Sequence, residues 1–280
     1  MRELWVPLSG AIAQQRNVET IANNVANVNT PGFKKDQVVF KEYLAAMEGK
    51  GAQEQGIDLP QKDWKPEDFY RSYNAEDSFV KVDGNYTLHE QGQLTPTGNA
   101  FDNALNGPGF YEVLTPNGVR YTRNGSFSIN NQGKLVTDQG YLVLSKDAPP
   151  VAGSDGKMNF STPPEARAIT VSNGKFTISL DGEIYSGENK VGNMAITEFN
   201  DIHALKKEGN SLFINPDQQN VKIADIKTSI NQGFVEQSNV NAVSEMSNLI
   251  NANRTFESIQ KVIKTYDNMS AKAVNEISKF

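Results

Sequence analysis

The 280-residue sequence reads as an α+β protein: long N- and C-terminal helices that pair as a coiled-coil-like domain, with a mainly antiparallel β body inserted between them. Three observations carry this reading. Apolar residues recur at alternating three- and four-residue steps near both ends. Between the ends, Gly-containing turn signals recur about every eight residues around short β-rich runs. No Gly or Pro occurs after Gly233, so nothing breaks the C-terminal pattern.

At the N-terminus, Leu4, Leu8, Ala11, Gln15, Val18, Ala22 and Val25 form a heptad seam, broadened by Trp5, Ile12, Ile21 and Val28. Ala and Gln make it weak for an isolated dimer and better suited to close packing among many helices. Pro31-Gly32 ends it. Residues 48–76 are polar and broken by Gly and Pro, and read as an extended arm. The β body follows, with turns at Asn106-Gly107, Asn117-Gly118, Asn124-Gly125, Gln132-Gly133 and Gln139-Gly140. These flank runs at 110–114, 119–123, 126–129, 134–137 and 141–145. A second set lies at 175–180, 183–186, 191–199 and 211–214, and the proline-bearing stretch 145–168 reads as a loop.

The C-terminal stripe comprises Val243, Met246, Ile250, Asn253, Phe256, Ile259, Ile263, Tyr266, Met269, Ala273 and Ile277. Ser238, Asn239 or Asn241 would cap it. A helix over 240–280 would be about 60 Å long, which suggests a coiled coil. A plain helical hairpin packed on its own domain fits the same periodicity. The chain thus divides into an N-terminal helix with an Asn-rich turn (1–45), an arm or linker (46–79), the β body (80–230) and the C-terminal helix (231–280).

Composition excludes several functions. There is no cysteine, hence no disulfide scaffold, thiol chemistry or cysteine-based metal site. The only histidines are His89 and His203. The net charge of −6 argues against a nucleic-acid binder, and no apolar run is long enough to span a membrane. Arg2 precedes a fairly apolar stretch, Leu4 to Ala13, but Glu3, Pro7 and Gly10 interrupt it, and it is not read as a signal peptide. Residues 1–45 carry five basic and four acidic residues, and 235–280 carry five of each. The middle holds the remaining 17 basic and 24 acidic residues. Near-neutral ends can pack on copies of themselves while an acidic middle stays solvated. The chain also has 30 Asn and 15 Gln, which suit turns, caps and polar protein contacts.

No catalytic, cofactor or metal pattern stands out, and the chain is not read as an enzyme. Gly107-Pro108-Gly109 lacks a third glycine and lies between β runs. Glu112, Asp181 and Glu183 are a chance-level carboxylate group. The densest signal ends the first helix: Ile21-Ala22-Asn23-Asn24-Val25-Ala26-Asn27-Val28-Asn29-Thr30-Pro31-Gly32-Phe33-Lys34-Lys35. Asn27, Asn29 and Thr30 fit a helix stop, Pro31-Gly32 a turn and Phe33 an anchor. A helix stop does not explain Asn23 and Asn24, which weaken a helix interior.

This segment resembles the N-terminal signature of the bacterial flagellar axial proteins, the rod and hook family. Gly233-Phe234-Val235-Glu236-Gln237-Ser238-Asn239-Val240-Asn241, followed by Glu245-Met246, Leu249-Ile250, Arg254 and Phe256-Glu257, resembles the family's other terminal signature. Gly92 to Leu94, Asp102 to Leu105, Gly109-Phe110, Tyr121 to Phe127 and Gly133 to Thr137 are similar to the rod subgroup. Such a resemblance implies assembly rather than catalysis. The chain would pass through the flagellar type III export apparatus without signal-peptide cleavage and join copies of itself and other rod and hook proteins. It would need no cofactor, nucleic acid or membrane insertion. The terminal helices would line a helical tube crossing the periplasm, and the β body would face outward. The residues expected to carry assembly are Leu4, Leu8, Ala11, Val18, Ala22, Asn23, Asn24, Val25, Asn27, Asn29, Thr30, Gly32 and Phe33 at one end. At the other they are Ser238, Asn239, Val240, Asn241, Met246, Ile250, Arg254, Phe256 and Ile263.

Within the family, Phe101 to Leu105, Gly109 to Val113, Arg254 to Glu257 and Tyr266-Asp267 look most like the proximal-rod type. The lengthened arm at 48–63, Trp5 and Glu236-Gln237-Ser238 suit the distal type. Two other readings stand beside these: a surface binding module on a coiled-coil stalk, and a periplasmic enzyme using the β body.

Overall fold

A computed structural model of the chain describes residues 5–45, 77–146, 151–152, 158–159, 164–171, 176–222 and 227–277. Leu4 and the expected arm at 48–76 lie outside the described residues. Helix α1 spans Trp5–Ala26 and helix α2 spans Ala242–Ile277. Of the three candidate caps for α2, Asn241 takes the role: its Oδ1 accepts from Ser244 N–H at 3.1 Å. Glu245 in the first turn favours the helix dipole.

Contacts divide the chain into two compact units. The first holds Met1–Ala22, Gln37–Tyr86 and Met246–Phe280. Here the two helices touch at small residues. Gln14 Nε2 donates to the Ala252 carbonyl at 3.3 Å, and Gly10 faces Ile259. Ala11, Ala13 and Ala252 are buried. On α2 the inward face is Leu249, Ala252, Phe256, Ile259, Ile263 and Tyr266. It shares Phe256 to Tyr266 with the sequence-derived stripe and diverges from it further back. Leu8 (39% exposed) and Ile12 (56%) on α1, and Met246 (52%) and Ile250 (53%) on α2, stand in solvent.

The strands Asp36–Ala45 and Asp77–Thr87 pair as a two-stranded sheet. The sequence reading assigned no strand here. Val38, Val39, Phe40 and Tyr43 are good β formers, but their partner lies far along the chain, so no local hairpin signal marks the pair.

The second unit, Asn23–Asp36 and Thr87–Glu245, contains the β body. Its main sheet runs in the order Lys206–Gly209, Leu212–Ile214, Gly118–Thr122, Phe110–Thr115, Leu142–Val143, Leu135–Thr137, Phe127–Ile129. Each neighbouring pair is antiparallel. The first five expected runs all appear. The expected run at 191–199 is two strands, because Asn189–Asn193 pairs with Glu183–Ser186 while Ile196–Phe199 pairs with Phe110–Thr115. Leu105, Tyr111, Leu135, Ile184, Met194 and Ile230 form the centre of the core, and Phe110, Phe199, Leu205 and Phe213 a second apolar cluster.

Two further pairings bring the chain back to where it entered. Ser229–Gln232 pairs with Asn103–Asn106, and Phe234–Glu236 with Leu94–Pro96, both antiparallel. The run leading into α2 is thereby held on the body.

Candidate functional site

The Asn-rich segment resolves into separate tasks. Asn24 is buried and clamps the backbone of Asp36 from both sides: its Nδ2 donates to the Asp36 carbonyl at 2.8 Å, and its Oδ1 accepts the Asp36 N–H at 3.0 Å. Only an amide offers a donor and an acceptor in that geometry. Asn23 is exposed, and its carbonyl accepts from Asn27 Nδ2 at 2.8 Å. Thr30 Oγ1 donates to Asn27 Oδ1 at 3.1 Å, which closes the helix end. Asn29 is exposed.

Gly32 is where the chain presses on the body. Its φ is +67°, and an added Cβ would lie 2.4 Å from the carbonyl carbon of Arg123 and the nitrogen of Asn124. No side chain fits. Gly32 N–H donates to the Glu236 carbonyl at 2.8 Å, so the two terminal signatures meet at the backbone. Phe33 is buried, and the Lys207 ammonium sits 3.8 Å above its ring centroid.

The C-terminal signature mirrors this. Asn239 Oδ1 accepts from Lys35 N–H at 2.7 Å, and its Nδ2 donates to the carbonyls of Leu88 at 2.8 Å and Glu90 at 3.2 Å. Val240 is buried. Ser238 Oγ accepts from Val240 N–H at 3.3 Å.

At the centre lies a buried ionic knot. Lys34 Nζ donates to Glu236 Oε1 at 2.5 Å and to the Glu90 carbonyl at 2.6 Å. Gly92 N–H also reaches Glu236 Oε1, at 3.0 Å, and Arg123 Nη1 reaches Oε2 at 3.4 Å. The side chains of Lys34, Arg123 and Glu236 are essentially inaccessible to water. Arg123 also caps the Phe110 ring, 4.8 Å from its centroid. Burial pulls the Lys34 ammonium below the ordinary lysine range, while the Glu236 carboxylate opposes that pull. Two ion pairs flank the knot: Lys35 with Glu245 at 2.5 Å, and Lys207 with Asp36 at 2.8 Å.

Next to the knot, His89 packs against Phe110, Phe213 and His203, with ring centroids 6.0, 5.4 and 6.1 Å away. Burial, then His203 and the cations Lys34, Arg123 and Lys207, lower its pKa to about 4. Its Nδ1 and Arg123 Nε are buried without a hydrogen-bond partner.

The structure therefore sorts the expected residues into two groups. Asn24, Gly32, Phe33, Asn239 and Val240 converge on the body beside the knot. Leu8, Ala22, Met246, Ile250 and Arg254 are exposed on the helices, as are Asn23, Asn29 and Asn241; Val18, Val25, Asn27, Thr30, Ser238, Phe256 and Ile263 are half-buried, and Ala11 is buried. Sequence reasoning did not assign Lys34, Arg123 or Glu236 a role. The available signal was that all three lie inside the quoted motifs.

Two of the buried carboxylates are engaged at or near this site: Glu236 by Lys34, Arg123 and Gly92, and Glu112 by Arg167 at 2.7 Å and by the Thr197 hydroxyl. The fold and the knot define a structural subunit, with two terminal segments locked together on a β body and apolar side chains left facing solvent. The comparisons agree. Residues 6–34 match the model for the flagella basal body rod protein, 104–186 the flagellar hook protein FlgE/F/G D1 domain, and 231–276 the flagellar basal body rod FlgEFG protein C-terminal region. The chain is 34% identical to the flagellar basal-body rod protein FlgG of Borreliella burgdorferi, over 98% of each chain. It is 31% identical to the flagellar basal-body rod protein FlgF of Caulobacter vibrioides, over 99% of this chain and 98% of that one. The chain belongs to the flagellar basal-body rod protein family, whose members are structural proteins and not enzymes.

Proposed function

We propose that this chain is a subunit of the proximal rod, FlgF-like, which polymerises through its terminal helices into the helical shaft that carries torque across the periplasm. The observation that carries the assembly reading is the apolar surface left on the helices by Leu8, Ile12, Met246 and Ile250. Such side chains on a surface helix call for a partner, and a heterologous contact that does not close yields a filament. The Gln14–Ala252 and Gly10–Ile259 contacts run in opposite senses along the two helices, which supports an antiparallel, coiled-coil-like pair. Its partners would be further copies, other rod and hook proteins, and the flagellar export apparatus.

The test replaces Ile250 with Asp. Because Ile250 is exposed, the chain should fold with an unchanged circular dichroism spectrum, yet be absent from purified basal bodies, and the cells should not swim. Normal rods would refute the reading. A distal, FlgG-like place is favoured by the 34% identity to a FlgG relative. Electron microscopy of basal bodies from a strain lacking this gene separates the two: a proximal subunit leaves no distal rod, whereas a distal subunit leaves a proximal stub.

A further inference from the structure

The two terminal segments dock on the body with their buried groups crossed. Lys34 Nζ, from the first, has Glu236 Oε1 of the second as its carboxylate partner at 2.5 Å. Lys35 N–H donates to Asn239 Oδ1 at 2.7 Å, and Lys35 Nζ to Glu245 Oε1 at 2.5 Å. In the other direction, Asn239 N–H donates to the Phe33 carbonyl at 3.4 Å. Neither segment completes its own hydrogen bonding. If residues 232–245 leave, Lys34 retains the Glu90 carbonyl and loses the Glu236 carboxylate with which it pairs. If residues 30–36 leave, Asn239 loses the Phe33 carbonyl and the Lys35 donor together. A half-docked state gives up every bond between the two segments while still ordering one of them, which favours the docked and the released states over it.

We propose that residues 30–36 and 232–245 form one cooperative latch, docking and releasing together as a unit distinct from the main sheet of the β body. The latch makes the N-terminal segment wait. In a chain that is made or delivered N-terminus first, residues 30–36 stay undocked until the last part of the chain arrives. The inference concerns the monomer and stands whatever the subunit's place in the rod.

Native-state hydrogen exchange of the full chain, followed across a urea series, tests it. Leu88, whose N–H donates to the Lys35 carbonyl at 2.8 Å, reports the first half of the latch; Gln237, whose N–H donates to the Gln93 carbonyl at 2.9 Å, reports the second; and the amides of Phe110–Thr115 report the sheet. The latch predicts that Leu88 and Gln237 open together, with one urea slope, and more readily than the sheet. It also predicts that Lys34→Met speeds exchange at Leu88 and Gln237 by the same factor, on the order of 100-fold, without moving the sheet. Different opening constants for the two halves in the unmodified chain would overturn the proposal. So would a single global opening that includes the sheet, or unequal factors at Leu88 and Gln237 in Lys34→Met.

Discussion

Lys34 and Glu236, separated by 202 positions in the chain, meet with 2.5 Å between Nζ and Oε1 at a site closed to water. Among the described residues, Glu236 is the only carboxylate the two buried cations of the knot share, since Arg123 reaches it as well. The knot is therefore asymmetric. Lys34→Met leaves Glu236 with Arg123 and the Gly92 N–H. Glu236→Leu leaves two buried cations without a carboxylate. Removing one partner of a buried pair costs about 3–5 kcal/mol. Glu236→Leu should fall at or above the top of that range and Lys34→Met at or below its bottom. Urea unfolding of both variants checks the order, and equal losses would mean that Arg123 is satisfied elsewhere.

Gly32 and Gly187 share a backbone conformation but not an environment. Their φ values are +67° and +66°, yet an added Cβ at Gly187 meets nothing within 4 Å, whereas at Gly32 it strikes the Arg123–Asn124 backbone. Gly187→Ala should cost about 1 kcal/mol, from the left-handed conformation alone. Gly32→Ala adds overpacking of about 1–3 kcal/mol. Matched thermal melts measure the difference. Similar losses would show that the body yields at Gly32.

Asn23 and Asn24 are adjacent but opposite in consequence. Asn24→Asp keeps the acceptor for Asp36 N–H and loses the donor to its carbonyl, which leaves that carbonyl facing a carboxylate. A loss of about 2 kcal/mol is expected. Asn23→Ala removes an exposed, weak helix former and should gain about 0.5 kcal/mol. Circular dichroism at 222 nm through a urea titration distinguishes them, and destabilisation by both would assign Asn23 a contact of its own.

His89 makes stability fall with acid. Its pKa in the folded chain is about 4, below the ordinary histidine value of 6.5, so between those two values the unfolded chain binds a proton that the folded chain does not. Stability from this group is therefore complete above pH 6.5 and declines as the pH falls toward 4. The full shift corresponds to about 3 kcal/mol, reduced to about 1–2 kcal/mol by its partial exposure. His89→Leu should flatten the difference between pH 7 and pH 4.5 by that amount. An unchanged pH dependence would place the sensitivity in the carboxylates.

Much of this protein is local and was readable as such. Turn signals at Asn117-Gly118 and Gln132-Gly133 sit between strands that pair with their sequence neighbours, so turn chemistry and β-rich runs located them. The α2 stripe, unbroken after Gly233, located a helix within a few residues of its limits. The Asn-rich segment declared itself by placing poor helix formers in a helix, and Asn24 shows why: its amide serves the backbone of Asp36 at the cost of local propensity.

What the sequence determined by itself is thus the pair of helices, the β meander, the motifs at either end and the family they signal, all of them consequences of periodicity, turn residues and residue identity over short spans. The tertiary structure decided which residues meet. The pairing of Asp36–Ala45 with Asp77–Thr87, the face of α2 that turns inward, the closeness of Gly32 to Arg123, and the burial of Lys34 with Glu236 all depend on contacts between distant parts of the chain. Periodicity identifies an apolar stripe but not its partner, and a lysine or glutamate is by default a solvated residue. The pairing of strand Phe234–Glu236 with Leu94–Pro96 brings Glu236 beside Gly92, where Lys34 and Arg123 close over its carboxylate and turn ordinary charges into a buried knot.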